Sequence, residues 1–337
     1  MLAQETRRRR RPSRLLTLLA CALPIGAIGA VGVIAGAHRA VGSIDRVPQV
    51  AAALSGPTAG VENYLLVGSD SRANSDPNSP DYGGIGSDTQ VTGQRSDTIM
   101  VLRLDKTTGK AALLSIPRDL WVAIPGQKNK NRINSAFSAG PDVLVQTVTQ
   151  SVGIPIQHYV EIDFSGFKAV IDALGGVQVC FQYPSRDANT GLNITTPGCP
   201  VLSGTQALAY ARSRHYQELR DGSWHEDGTA DIGRAKRQRD FVNRAIQGAL
   251  ARIKSDPFAS ATLVSAIGKA LKVDGVLDPL QAVGKLRSAF DSGLQPYALP
   301  VVGTTINGNS VLKLGDGAQA VIDYFAGRTT TPPPQAT

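Results

Sequence analysis

The stretch that most restricts the fold is TIMVLRLDKTTGKAALLSI, residues 98–116. It predicts a hairpin of two strands, 98–104 and 111–116, joined by the polar segment DKTTGK. The second strand, AALLSI, contains no charged residue, so it is expected to be buried on both faces of a sheet. A sheet that is buried on both faces must be covered by helices on two sides.

Strand and helix patterns alternate along the rest of the chain. Further strands are predicted at NYLLVGSD (63–70), HYVEID (158–163), VQVCF (177–181) and QPYALPVVG (295–303). Helices are predicted at 141–153, 164–176, 203–214 and 231–254. This order predicts an α/β fold with three α/β/α layers, in which helices flank a mixed central sheet. The Gly-, Ser-, Asp- and Pro-rich stretch 71–94 is a connection of the length that is typical of functional loops.

The net charge of +8 is concentrated at the N-terminus, because residues 1–14 carry +5 and the remaining 323 residues carry +3. A basic composition confined to a short tag does not indicate a nucleic-acid-binding domain. The charge-free run 15–37 follows directly and is 23 residues long. As a helix it would exceed the roughly 30 Å of a bilayer core.

These features predict a single-pass membrane protein with its N-terminus in the cytoplasm and its main domain outside the cell membrane. The expected parts are a basic N-terminus (1–14), a transmembrane signal anchor (15–37), a stalk (38–60), an extracytoplasmic domain (61–326) and a disordered tail (327–337). The alternative is a cleaved signal peptide, because Ala35-Gly36-Ala37 has the form of a cleavage site. Both interpretations place the domain outside the cytoplasm.

Cysteine usage agrees with an oxidising compartment. Cys21 lies in the apolar run, which leaves Cys180 and Cys199 either as a disulfide or as two separate buried thiols.

The candidate functional residues are arginines that recur beside small polar or acidic residues at the predicted ends of elements. They occur in SDSR (69–72), QRSD (94–97), PRD (117–119), NRIN (131–134), ARSR (211–214) and DIGRAKRQ (231–238). A surface ion pair is the alternative explanation for PRD alone. Several arginines that converge on one cleft repel each other unless an anion lies between them, and their planar forks match phosphate oxygens. The set therefore predicts a phosphate-binding site.

Carboxylates accompany these arginines. Asp97 lies two residues from Arg95, and Asp88 is the nearest acid of the preceding loop, with Asp81 and Asp76 as alternatives. Such a pair suits Mg²⁺, which prefers carboxylate, water and phosphate oxygens. Because an extracytoplasmic enzyme has no nucleotide triphosphate pool, we expect an activated donor in the membrane, such as a polyprenyl-linked glycan with a phosphate or pyrophosphate. The stretches 241–253 and 258–271 are candidates to line an apolar groove for its chain.

Seven segments between residues 62 and 254 together resemble the LytR-CpsA-Psr family. They are NYLLVGSDSR, GQRSDTIMVLRLD, LLSIPRDLWVAIPG, NRINSAFSAGP, FKAVIDALGGVQVC, ALAYARSR and DIGRAKRQRDF. The resemblance implies an α/β/α phosphotransferase that moves a polymer from a polyprenyl-pyrophosphate carrier onto peptidoglycan. It also implies Mg²⁺ as the cofactor and a pyrophosphatase side activity. The cysteine pair and the Ala-, Gly- and Arg-rich composition resemble the actinobacterial branch, for which the polymer is arabinogalactan.

Roles for individual residues follow from the matched motifs. The resemblance implies that Arg95, Asp97 and Arg118 are catalytic and that Asp88 and Asp97 hold the metal. The pyrophosphate-binding set is Arg72, Arg95, Arg118, Arg132, Arg212, Arg214, Arg234 and Gln238.

Two other functions compete with this one. A non-catalytic module that binds polyprenyl phosphate or glycan would leave the donor intact. A transcriptional attenuator would bind DNA, but the predicted topology leaves only a short basic segment in the cytosol.

Overall fold

The fold is built on a seven-stranded mixed sheet. The computed structural model describes residues 42, 44–70, 96–228, 230–255, 257–279, 281, 282, 284, 285, 289 and 293–334. The strand order is β1 (Asp45–Arg46), β14 (Leu271–Val273), β7 (His158–Ile162), β2 (Val61–Ser69), β3 (Ser96–Asp105), β4 (Ala111–Ile116) and β15 (Leu294–Ala298).

The predicted hairpin is confirmed as β3 and β4, which pair antiparallel with Ile99 opposite Ile116. All six residues of β4 are buried, as its uncharged and mainly apolar pattern predicts. Strand β2 is antiparallel to β3 and parallel to β7, and β4 is parallel to β15. The mixed character of the sheet is therefore confirmed.

Seven helices with defined bounds are described: α1 (Asn134–Ala139), α2 (Pro141–Thr147), α3 (Phe164–Ala173), α4 (Gly204–Arg212), α5 (Ala230–Ser255), α6 (Pro257–Ala270) and α7 (Ala318–Phe325). A 3₁₀-helix spans Pro48–Ala52, and a π-helical turn, Val148–Val152, continues α2. Positions 279, 281, 282, 284, 285 and 289 are also helical.

Two hydrophobic clusters cover the two faces of the sheet. On one face, Leu65 and Leu114 pack with Phe137 of α1, Leu144 of α2 and Phe325 of α7. On the other face, the neighbouring residues Tyr64 and Leu113 pack in a cluster that includes Val242 and Ile246 of α5. Successive strand residues point to opposite faces, so this division gives the three layers that the alternation of elements predicts.

Four smaller sheets surround the central one. They are the pair β8 (Val177–Gln178) and β11 (Val201–Leu202), the pair β5 (Trp121–Val122) and β6 (Asn131–Arg132), the hairpin β16 (Val301–Ile306) and β17 (Asn309–Leu314), and a four-stranded sheet. The last has the order β10 (Leu192–Ile194), β9 (Ser185–Asp187), β12 (Gln217–Arg220) and β13 (Ser223–Glu226).

One predicted strand is divided in the structure, one predicted helix is confirmed, and one hairpin was not predicted. The strand predicted at 295–303 is divided into β15 and β16 around Pro300, whose nitrogen cannot donate a ladder hydrogen bond. The helix predicted at 141–153 is confirmed to within one residue, because it continues to Val152 and ends at Gly153, which has a φ of 89°. The hairpin of β12 and β13 was not predicted, although its Asp221-Gly222 turn, with both φ values positive, is a recognised hairpin signal.

The predicted strand 177–181 forms a ladder over only two residues, and the rest of the segment is held by the chain around Cys199. The Phe181 N–H donates to Gly198 O at 2.7 Å, and the Gly198 N–H donates to Phe181 O at 2.9 Å. Cys180 and Cys199 form a disulfide, which confirms the pairing and excludes the alternative of separate thiols.

The predicted membrane anchor, residues 15–37, lies outside the described residues. Within the part of the chain that the structure describes, no helix combines the length and the apolar character that a bilayer crossing requires. In the predicted tail, residues 327–334 are described and form no helix or strand. There, the Arg328 guanidinium donates to Asp323 Oδ1 at 2.6 Å.

Candidate functional site

Several of the arginines predicted to bind phosphate line one cavity, at the end of the central sheet where β2 and β4 finish. Strands β2 and β4 are both antiparallel to β3, so their carboxyl ends meet at this edge. Asp70 directly follows β2, and Arg118 follows β4 after Pro117, where the chain turns with the Leu120 N–H on Pro117 O. Both side chains line a cavity of about 310 Å³, which we call the arginine cavity.

Helices α4 and α5 bring three more arginines to the arginine cavity. Helix α4 begins with a capping box between Ser203 and Gln206 and ends at Arg212. The extended chain that follows carries Arg214, and α5 supplies Arg234, which is only 4% exposed. The structure thus brings Arg118, Arg212, Arg214 and Arg234 together from three separate parts of the chain. The full lining is Asp70, Arg118, Asp187, Asn189, Thr190, Arg212, Arg214, His215 and Arg234.

Asp187, which was not predicted as a site residue, positions the backbone at this cavity. The side chain is 1% exposed, and its Oδ2 accepts hydrogen bonds from Ser213 Oγ at 2.7 Å, Arg214 N at 3.0 Å and His215 N at 2.9 Å. These bonds fix the backbone that carries Arg214. The local signal is weak, because an Asp before a turn, as in DANTG (187–191), is common in loops.

Helix α5 is held against the end of α4 by two further side chains. Gln238 Nε2 donates to Ala211 O at 3.0 Å. Arg237, which was not predicted, donates from Nη1 to Asp227 at 2.7 Å and from Nη2 to Ser213 O at 2.8 Å. These bonds keep Arg212 on α4 and Arg234 on α5 facing the same cavity.

Arg132 lies beyond Asp119 and is not among the residues that line the arginine cavity. Asp119 stands between two arginines, with Oδ2 3.6 Å from Arg118 Nε and Oδ1 3.5 Å from Arg132 Nε. Arg132 also donates from Nη2 to Ser310 O at 2.8 Å. Its described contacts are therefore with Asp119 and with strand β17.

An apolar cavity of about 230 Å³ adjoins the arginine cavity, and Arg212 and Arg234 line both. It lies between the sheet and helices α3, α4 and α5. Its apolar lining includes Leu66, Met100, Val160, Ile162, Phe164, Phe167, Leu208, Phe241, Val242 and Leu271. Gln238 lines this cavity and not the arginine cavity. The guanidinium carbon of Arg212 lies 4.7 Å from the centre of the Phe164 ring, at the boundary between polar and apolar space.

The side chains of the remaining predicted site residues are not among those that the structure describes. Arg72, Asp76, Asp81, Asp88 and Arg95 lie beyond the described residues, and of Asp97 only the backbone is described. Gly68 pairs with Thr98 and Ser69 with Ser96, so Asp97 is the extra residue of a β-bulge. Among the described residues, no three His, Cys, Asp or Glu side chains are grouped as a metal site would require.

The charges of the described lining residues indicate the kind of ligand that the arginine cavity suits. Four guanidinium groups face two carboxylates, Asp70 and Asp187, among the described lining residues. Arginine stays protonated in proteins, so the described lining residues carry more positive than negative charge, which favours an anionic ligand. The forked geometry of the guanidinium suits phosphate oxygens. The arrangement can therefore bind a phosphate-bearing head group whose apolar part enters the adjoining cavity.

Comparisons with known proteins identify relatives of the chain. The chain is 33% identical over 294 residues to a probable cell wall biosynthesis protein, LcpB, of Corynebacterium glutamicum, covering 86% of this chain and 66% of that protein. It is 31% identical over 237 residues to the polyisoprenyl-teichoic acid–peptidoglycan teichoic acid transferase TagU of Halalkalibacterium halodurans, covering 69% of this chain and 72% of the relative. The chain thus spans somewhat less than two thirds of the Corynebacterium protein.

Solved structures share the fold. A LytR-Csp2A-Psr enzyme from Actinomyces oris superposes with a TM-score of 0.64 at 25% identity, over 84% of this chain and 96% of that one. The Bacillus subtilis protein TagT superposes with a TM-score of 0.58 at 21% identity, over 86% and 99%, respectively. The LytR_cpsA_psr family model matches residues 36–323, and the chain belongs to this family.

Proposed function

We propose that this protein is a phosphotransferase that moves a glycopolymer from a polyprenyl-pyrophosphate carrier onto peptidoglycan during cell-wall assembly. The observation that carries the proposal is the pair of adjoining cavities, one cationic and one apolar, which share Arg212 and Arg234. A polyprenyl-pyrophosphate donor has the same two parts in the same order, an apolar chain joined directly to a doubly phosphorylated head.

The donor's pyrophosphate would lie among Arg118, Arg212, Arg214 and Arg234, and the first part of its chain would lie against Phe164 and Phe241. Bringing four like charges into one cavity costs free energy in the absence of a ligand. The bound pyrophosphate offsets that cost with charge-assisted hydrogen bonds, each contributing about 1.5–3 kcal/mol.

The chemistry is a phosphoryl transfer. A hydroxyl oxygen of the acceptor forms a bond to the phosphorus that bears the glycan, and the bond from that phosphorus to the bridging oxygen breaks. Polyprenyl phosphate leaves, and the proton of the hydroxyl passes to a base or to water. The protein contributes by positioning the two substrates and by stabilising negative charge on the phosphate oxygens with its arginines.

Magnesium is part of the proposal. Asp70, 8% exposed, lines the arginine cavity, and the bulge puts the backbone of Asp97 beside Ser69, one residue from Asp70. Carboxylates beside a pyrophosphate are the oxygen donors that suit Mg²⁺. Asp97 would hold the ion together with Asp88 or, as alternatives, Asp81 or Asp76. When bound, the ion supplies additional neutralisation of the phosphate charge.

The finer parts of the proposal concern location, polymer and side activity. We propose a single-pass protein anchored by residues 15–37, with its catalytic domain outside the cell membrane and its N-terminus in the cytoplasm. The proposed polymer is arabinogalactan, on the resemblance to the actinobacterial branch. Water in place of the acceptor hydroxyl would give a pyrophosphatase side activity.

The test uses the full-length chain in detergent with Mg²⁺, a polyprenyl-pyrophosphate oligosaccharide labelled in its glycan, and peptidoglycan. We expect label in peptidoglycan with the wild type and a rate lower by about a hundredfold or more in Arg118→Ala, because one oxyanion-stabilising group is lost. Arg244→Ala is the matched control, since Arg244 lies on α5 like Arg234 but is 41% exposed and pairs with Asp240.

The competing functions give different outcomes. Donor that binds to the wild type but stays intact would identify a non-catalytic binding module. Transfer that is equally fast in Arg118→Ala would show that the arginine cavity is not the reaction site.

A further inference from the structure

A further hollow lies close to Arg118 along the chain, because Leu120, two residues after Arg118, is among its lining residues. It measures about 410 Å³ and lies between β5, the π-helical turn and β17. Its defining residues are Trp121, Lys130, Gln150, Ser151, Lys313 and Leu314, and we call it the lysine hollow.

The charge of the lysine hollow is unbalanced. Lys130 and Lys313 are both exposed, and among the described residues neither forms an ion pair. No acidic residue is among those that line the hollow. The indole of Trp121 is half-buried, and Leu314 is 41% exposed. Two ammonium groups beside an exposed apolar surface suit a ligand that combines carboxylates with sugar or peptide.

The backbone joins the lysine hollow to the arginine cavity. Arg118 lines the cavity, and Leu120, two residues later, lines the hollow. The backbone carbonyl of the intervening Asp119 accepts a hydrogen bond from Leu312 N at 3.0 Å. This bond fixes β17, which carries Lys313, beside the chain that follows Arg118. The two sites thus have a fixed relative position.

The direction of the reaction decides which substrate lies in the hollow. Arg212 and Arg234 border the apolar cavity, so the polyprenyl leaving group would depart on their side, whereas Arg118 borders only the arginine cavity. An in-line displacement requires the attacking hydroxyl to approach from the side opposite the leaving group. The acceptor would therefore approach the part of the arginine cavity that Arg118 lines, and the lysine hollow begins two residues further along the chain, at Leu120.

We propose that the lysine hollow is a subsite for the peptidoglycan acceptor. Lys130 and Lys313 would bind carboxylates of a stem peptide, and Trp121 would pack against the glycan strand to which that peptide is attached. Lysines act here as point charges for carboxylates, whereas the arginine cavity has the forked groups that suit phosphate. This inference rests on the proposed function, because it names the acceptor site of that reaction.

The test uses Trp121 as its own reporter. The chain has two tryptophans, so Trp224→Phe in the full-length protein leaves Trp121 as the single indole. The probes are a soluble disaccharide–peptide fragment of peptidoglycan with free carboxylates and the same fragment with its carboxylates amidated. We expect the free fragment to change the Trp121 fluorescence, and the amidated fragment to bind more weakly by about tenfold, as loss of two exposed charge pairs predicts.

The variants give the same comparison on the protein side. Lys130→Gln combined with Lys313→Gln should weaken binding of the free fragment by about tenfold and raise the KM for the acceptor, with kcat and donor affinity unchanged. Lys128→Gln is the matched control, because Lys128 is exposed on the same loop but does not line the hollow. Added salt should reduce the difference in affinity for the free fragment between the double variant and Lys128→Gln.

The outcomes separate this inference from the proposed function. Equal affinities for the free and amidated fragments, or equal behaviour of the double variant and Lys128→Gln, would overturn the subsite even if transfer occurs. Lysine-dependent binding of the free fragment by a wild type that transfers nothing would support the subsite and remove the proposed reaction. Binding of the labelled donor glycan in place of the fragment would also overturn the assignment to the acceptor.

Discussion

The two ends of the central sheet both concentrate charge, but they balance it differently. At the amino ends of β2 and β7, a set of residues that we call the carboxylate cluster comprises Glu62, Tyr64, His158, Asp274 and Lys285. Glu62 accepts a hydrogen bond from Tyr64 Oη at 2.7 Å and lies 3.1 Å from Lys285 Nζ and 3.2 Å from His158 Nε2. The ring of His158 also lies 3.3 Å from Asp274.

Asp274 shows how complete this balance is. The residue is fully buried, and its two oxygens accept hydrogen bonds from the backbone N–H groups of Tyr159, Val276 and Leu277 at 2.7–2.9 Å. Nearby at the same end, the buried Arg103 donates from Nε to Tyr324 O at 3.0 Å and from Nη2 to Asp105 at 3.1 Å.

The arginine cavity at the opposite edge has the same types of group in a different proportion. Its four arginines face only two aspartates among the described residues, and one of these, Asp187, uses its oxygens to hold the backbone. Removing one partner from a buried charge pair is destabilising, whereas charged groups gathered in a cleft mark a candidate binding site. Among the described residues, this difference in proportion marks the arginine cavity, rather than the carboxylate cluster, as the candidate binding site.

The largest expected effect comes from Arg212→Met. Loss of two charge-assisted hydrogen bonds should weaken binding of inorganic pyrophosphate about a thousandfold, or about 4 kcal/mol. The midpoint of thermal unfolding should change much less, because the repulsion that is removed among the arginines offsets the lost contact with the Phe164 ring. Calorimetric titration and a melting curve measure the two quantities. A large loss of stability with intact binding would reverse the assignment of the two ends.

The same substitution at the other end, Arg103→Met, should have the opposite result. It leaves Asp105 and the carbonyl of Tyr324 without their buried partner, so the free energy of unfolding should fall by about 3 kcal/mol. The folded fraction should still bind pyrophosphate with wild-type affinity. Urea denaturation followed by circular dichroism measures the change. An unchanged denaturation midpoint would show that this buried arginine does not stabilise the fold.

The smallest effect concerns pH and the carboxylate cluster. Burial alone would raise the pKa of Glu62, but hydrogen bonds from Tyr64 and Lys285 and the nearby charges outweigh it and lower the pKa below the ordinary 4.5. The pKa of Asp274 is likewise below the ordinary 3.8, because the hydrogen bonds from His158 and the backbone outweigh burial.

Since these groups are more acidic in the folded state, the unfolded chain binds protons first as the pH falls. Their contribution to stability should be complete above about pH 5 and should be lost as the pH falls through the lowered values of the folded state. Glu62→Gln should cost about 1 kcal/mol at pH 7 and flatten this dependence. Denaturation series at pH 3 to 7 measure it, and parallel pH profiles for wild type and variant would count against the cluster.

Much of the architecture could be predicted from the sequence, because hydrophobic periodicity is local. The uncharged and mainly apolar run of β4 was enough to predict a sheet covered on both faces, and both are confirmed. The positions of Arg118, Arg212 and Arg234 at or near element ends predicted that they would meet, and they do. Two local signals in the sequence indicate boundaries that were not predicted. Pro300 separates β15 from β16, and the Asp221-Gly222 turn joins β12 to β13.

The sequence by itself determined the α/β class, the order of the main elements and a set of arginines placed for an anion, and it left the two cysteines as either a disulfide or separate thiols. Only the tertiary structure decided which charges are answered inside the protein: that Asp187 holds the chain of Arg214, that Arg103 is buried against Tyr324, and that Arg132 faces β17. The physical reason is that propensity and periodicity act over a few residues, whereas charge pairing depends on distances between groups that are far apart in the chain. Arginine is written with the same letter in the sequence whether its guanidinium stabilises the fold or binds a ligand.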